Sequence, residues 1–103
     1  MAYPIEPDPA LAAEFKKTPL GHHSPALQRL LRIFRTLPVA GKHALLRVDH
    51  QRRWVLVQFN GRKGEPLTIH RDHVFTDWNE AEWAVFKLRW KAYFGSDVPE
   101  ALR

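Results

Sequence analysis

Six histidines are the side chains in this 103-residue sequence with the most chemistry to offer. His22-His23-Ser24 sets two imidazoles beside a hydroxyl, the composition of a base-activated nucleophile. Catalytic triads are assembled in space, however, and neighbours in sequence rarely present the required geometry. Ser24 also precedes Pro25, which makes it an N-cap hydroxyl before a proline at the first helical position. His70, Asp72 and His73 have the residue types of a metal-binding turn. In an extended strand, residues i and i+3 point to opposite faces, so this pair reads as surface or hydrogen-bonding histidines. The acidic residues Glu6, Asp8, Glu14, Asp77, Glu80 and Glu82 fall at turns, caps or helix flanks, and no inward-facing pair emerges for general acid and base work. The sequence contains no HExxH, P-loop or GxGxxG motif and no cysteine, which removes zinc-finger and thiolate chemistry. No catalytic, cofactor-binding or metal-ligating residue is expected in this chain.

The elements that carry these residues fit one domain over residues 1–103, since a chain of this length at 45% hydrophobic and 26% charged can bury a core. The absence of cysteine and of any apolar run near the roughly 20 residues of a bilayer span points to a cytoplasmic protein with no membrane partner. Pro4, Pro7 and Pro9 predict an extended arm, and Asp8-Pro9 starts a short helix with Leu11 and Phe15 on one side, so residues 1–20 form a Pro-rich arm with a short helix. Ser24-Pro25 opens a second helix that gathers Leu27, Leu30, Leu31, Phe34 and Leu37 on one face and Arg29, Arg32 and Arg35 on the other.

From Lys42 the period changes. HALLRV and RWVLVQF read as two antiparallel strands around a hairpin loop at Asp49-His50-Gln51-Arg52. Val55, Val57 and Phe59 alternate to one side of the second strand while Trp54 and Leu56 make the other side apolar, so the sheet is expected to be covered on both faces. Asn60-Gly61 turns into a short third strand at LTIH, with His70-Arg71-Asp72-His73 leading on to the last helix. That helix begins at Asp77 with Glu80 at capping-box spacing and stops at Gly95. The fold class is α+β: N-terminal arm and helices, a three-stranded antiparallel β-meander, and a C-terminal helix packed on the sheet, with an α-β-β-β-α core over residues 24–94.

The last helix carries two apolar faces. Ala81, Ala84, Val85, Leu88 and Ala92 cluster on one side, and Trp83, Phe86, Trp90, Tyr93 and Phe94 gather roughly 180° away. The small side suits close packing on the sheet, which leaves the aromatic side to be covered by something else. Each ring can bury about 150–250 Å², too much for a monomer to leave in water. Two covers are open: the chain's own arm, through Tyr3, Ile5, Leu11 and Phe15, or a permanent partner chain. The interface reading places Trp83, Phe86, Trp90 and Phe94 at the contact, with Arg29, Arg32 and Arg35 as rim partners for acidic groups. On that reading, Trp90→Ala impairs assembly more than folding.

With a formal charge of +5, an alternative is a small basic nucleic-acid-binding module. Arg29, Arg32 and Arg35 would join Arg47, Arg52, Arg53, Arg62 and Lys63 in a phosphate-binding surface, with Trp54 stacking on a base.

The stretch PLGHHSPALQRLLRIFRTLPVAGKH resembles the small (light, or alpha) subunit of N,N-dimethylformamidase, through Gly21, Ser24-Pro25, Leu27-Gln28-Arg29, Phe34-Arg35, Pro38 and Gly41-Lys42. The similarity continues through Trp54, Gly64-Glu65-Pro66, Phe75-Thr76 and the segment EAEWAVFKLR, over about residues 8–90. The resemblance implies a non-catalytic chain paired with a much larger amidohydrolase subunit that cleaves a small N-alkyl formamide to amine and formate. It also implies that the mononuclear iron and the catalytic residues belong to that large subunit, so no catalytic position is carried onto this sequence.

Overall fold

A computed structural model describes residues 7–19, 21–37, 41–47, 53–61 and 67–102 of the chain. The elements run α1 (Pro9–Lys17), α2 (Pro25–Arg35), β1 (His43–Arg47), β2 (Trp54–Gln58), β3 (Thr68–Phe75), α3 (Trp78–Phe94) and a short 3-10 turn at Glu100–Leu102. The three strands form one antiparallel sheet in the order β1-β2-β3, so the α+β meander expected from the sequence is the observed fold. Tyr3 and Ile5 of the arm, the hairpin loop 49–52, and Arg62 and Lys63 lie outside the described residues.

Local chemistry sets the helix boundaries. Asp8 caps α1 by accepting from the Ala10 N–H at 2.9 Å, with Pro9 in the first turn. Asp77 caps α3 by accepting from the Asn79 N–H at 2.8 Å. Gly95 ends α3 at φ 79°, a left-handed turn that a side chain would strain, and its N–H reaches the Lys91 carbonyl at 2.8 Å. Ser24 does more than cap. Its Oγ accepts from the Leu27 N–H at 3.2 Å and donates to Glu14 Oε1 at 2.7 Å, while its backbone N–H donates to Glu14 Oε2 at 2.6 Å. One carboxylate of α1 therefore clamps the first turn of α2, and these two bonds hold the Glu14 carboxyl below its ordinary value of 4.5.

The layers follow from α3. Its small face packs on the sheet, where Ala81 and Val85 are buried, and its aromatic face packs under α1 and α2. Leu11, Ala12 and Phe15 of α1 and Leu27, Leu30 and Phe34 of α2 join Trp83, Phe86 and Trp90 in one core, closed by Val98. Phe15 stacks on Phe86 with centroids 4.3 Å apart, Phe34 meets Phe86 edge-on at 5.5 Å, and Trp90 contacts Phe94 at 4.6 Å. Lys16 and Lys87 each hold an ammonium 5.7 Å from the Trp83 ring, and Lys16 also donates to the Leu102 carbonyl at 2.8 Å.

This packing corrects the interface reading of the aromatic stripe. The chain covers it with its own helices, because α1 and α2 each present an apolar stripe that needs the same rings. Trp90 is 1% exposed and Phe86 2% exposed. Either Trp90→Ala or Phe86→Ala should thus destabilise the free chain by about 3–5 kcal/mol, the usual cost of emptying a buried aromatic site; urea unfolding of the isolated protein measures it. A second outcome concerns acid. A carboxyl whose folded pKa is lowered contributes stability above its ordinary pKa and loses that contribution as pH falls through the lowered value. Glu14→Gln should accordingly flatten the loss of thermal stability below pH 4.5, and Ser24→Ala should cost about 1 kcal/mol at neutral pH.

Candidate functional site: the outer face of the sheet

The residues placed at a partner contact from the sequence divide between two locations. Trp83, Phe86 and Trp90 lie inside the core, and Phe94 is half-buried at its edge against Trp90 and Tyr93. Arg29 and Arg32 are exposed on the side of α2 away from its buried Leu27, Leu30 and Phe34, and Arg35, also exposed, borders a pocket shared with Phe34, Phe86 and Arg89. The helix that carries the expected rim is thus one of the helices covering the expected centre. The basic residues do not share one surface either. Among the described residues α2 makes no backbone approach to the strands, so its arginines and Arg47 and Arg53 belong to opposite outer layers. Trp54 packs against Trp78, with centroids 5.0 Å apart, instead of standing free for a base.

The surface that chemistry singles out is on the sheet. Register places Leu46, Val55 and Val74 side by side, and Ala44, Val57 and Ile69 in the adjacent row. Alternation puts both rows on the face away from α3, because Leu56 and His70, one position off, line the cleft beneath that helix. α3 is the one helix that approaches the strands among the described residues, and it lies on the other side. Leu46, Ile69 and Val74 are 42%, 41% and 47% exposed, with Val55 and Val57 buried between them. Leu67, also exposed, extends the second row. The sequence signal was the two-sided apolar character of Trp54–Gln58, which calls for a cover on both faces; the described helices supply one.

The inner face holds the histidines. β3 runs beyond LTIH to Phe75, and its pairing skips from His70 opposite Leu56 to Val74 opposite Val55. Arg71, Asp72 and His73 form the resulting bulge. It overturns the parity argument for His70 and His73: both line the cleft under α3, with ring centroids 6.1 Å apart. His43, unmarked in the sequence reading, joins them from β1 at 5.8 Å from the His70 ring. His70 Nε2 lies 3.3 Å from Gln58 Oε1, and His73 Nδ1 lies 3.2 Å from Asp72 Oδ1. Among the described residues, no three His, Cys, Asp or Glu side chains are placed to hold a metal ion. His22-His23-Ser24 is structural in use: His23 Nε2 meets the Thr18 carbonyl at 2.8 Å, its ring stacks on Phe15 at 5.8 Å, and Ser24 is the α2 cap.

Arg89 links the layers at the flank where α2, α3 and β1 meet. Its terminal nitrogen donates to the His43 carbonyl at 3.3 Å, while its Nε is buried without a described partner. Burial lowers the Arg89 pKa and raises that of Glu82, and each charge partly offsets the other's shift.

An apolar face of this kind marks a chain whose surface is meant to be covered. The chain belongs to the N,N-dimethylformamidase alpha subunit family, whose model matches residues 5–98. Comparison with curated proteins finds no match.

Burial lowers the His43 pKa from 6.5, with His70 and Arg89 adding like-charge repulsion. A histidine shifted this way is bound to fewer protons folded than unfolded, so stability is lost as pH falls from its ordinary pKa towards the lowered one. His43→Gln should shrink the drop in melting temperature between pH 7.5 and pH 5.5, read by circular dichroism.

Proposed function

We propose that this chain is a non-catalytic small subunit that stabilises a large iron-dependent amidohydrolase subunit, and that the pair hydrolyses a small N-alkyl formamide to amine and formate in the manner of N,N-dimethylformamidase. The observation that carries the reading is the outer sheet face, with Leu46, Ile69 and Val74 left exposed in a chain of an alpha-subunit family. Covering three half-exposed aliphatic side chains returns on the order of 1 kcal/mol each. The two valines of β2 keep the surface between them flat and dry. The partner surface is therefore apolar at its centre, and the role of this chain is to hold that surface out of water. In this proposal the iron and the groups that attack the amide belong to the large chain, and this chain contributes the rigidity of a three-layer scaffold.

Co-expression with the large subunit tests the contact. Ile69→Asp combined with Val74→Asp places two charges on the exposed rows and should leave the melting temperature of the free chain within a few degrees of the parent, because surface positions tolerate substitution. Assembly, followed by size-exclusion chromatography with light scattering, should weaken by roughly 30-fold or more, as for interface hot spots. Reversing the α2 face with Arg29→Glu, Arg32→Glu and Arg35→Glu is the counterpart. If that variant fails to assemble while the sheet variant assembles normally, the contact lies on α2 and the sheet assignment is wrong.

A further inference from the structure

Between α3 and the inner face of the sheet lies a cleft of about 500 Å³ that meets the aromatic core at Val98 and is separate from the outer sheet face. This size falls within the roughly 300–1,000 Å³ typical of small-ligand sites. Its floor is apolar, formed by the buried Leu56 and Val98 and the half-buried Phe75, Ala84 and Leu88. Its rim is cationic and hydrogen-bonding. Lys91 reaches it from α3 beside Lys87, whose ammonium lies over the Trp83 ring, His43 from β1, and His70 and His73 from β3. Among the described residues Asp97 is the one carboxylate lining it, 3.7 Å from the Lys91 ammonium.

We propose that this cleft binds a small organic acid with an apolar body, its carboxylate held at the Lys91, His70 and His73 rim and its hydrocarbon part laid on Leu56, Phe75 and Leu88. The two halves of the site select the ligand together. An inorganic anion would leave the apolar floor uncovered, an organic cation would meet the Lys91 ammonium, and a neutral alcohol would gain nothing from it. The β3 bulge is what brings His73 to the same side as His70, so the rim exists because of an irregularity in the strand. His73 rests its Nδ1 on Asp72, which leaves Nε2 as the ring position available for a ligand.

The free chain, labelled with nitrogen-15 and followed by amide chemical shifts, tests this directly whether or not the chain assembles with a partner. Titration with hexanoate at pH 6 should give saturable shifts grouped at Leu56, His70, His73, Ala84 and Leu88. Hexylamine, hexanol and inorganic phosphate at the same concentrations should not. Lys91→Gln and His73→Gln change exposed side chains and should each weaken hexanoate by about fivefold, the size of one partly exposed charge contact, with amide dispersion preserved. Absence of saturable shifts up to millimolar hexanoate, equal binding of hexylamine or hexanol, or shifts centred outside the cleft would each overturn the proposal.

Discussion

Everything in this fold depends on α3 being buried on two sides. Its small residues admit the sheet closely, and its aromatic residues fill the space under α1 and α2, so the helix is the middle of three layers. Because α2 has no backbone contact with the strands among the described residues, the outer layers are joined chiefly through α3, with the Lys42 ammonium bonding the Arg35 carbonyl at the end of α2. The Phe15, Phe34 and Phe86 rings are the centre of that junction. Secondary ties then fix its geometry: the Glu14 clamp on Ser24 sets α1 against α2, and Arg89 holds the edge of β1 against α3. A helix apolar all round is stable only in such a position.

Much of this was legible in the sequence because helix boundaries are local chemistry. Asp8-Pro9, Ser24-Pro25, Asp77 and Gly95 each mark a helix end whose hydrogen bonds the structure contains. The two faces of α3 were legible too, from periodicity alone. What covers a face is a tertiary fact that periodicity does not carry. The Leu27, Leu30 and Phe34 stripe of α2 and the Leu11 and Phe15 stripe of α1 also required partners, and matching them to the α3 rings leaves the outer rows of the sheet as the surface without a described cover. The histidine cluster was hidden for another reason. Period-two reasoning assumes an unbroken strand, and the skip in pairing between His70 and Val74 lies in the register of β3 against β2, which no local pattern encodes.

Family membership and surface chemistry point the same way by different routes. The alpha-subunit family describes a component of an assembly. The sheet independently offers an aliphatic surface whose central valines are buried and whose flanks are half-exposed. Arg29 and Arg32 of α2 are exposed on the far layer.

The bulge in β3 has one more effect. Among the described residues β1 and β3 form the two borders of the sheet, and a border with regular spacing invites another chain to zip onto it as an extra strand. Three surplus residues interrupt the rhythm of β3 midway, so a newcomer would lose alignment after a short run. Growth by strand addition is blocked along that border. Strand-by-strand polymerisation is therefore disfavoured along β3, while β1 keeps its regular spacing.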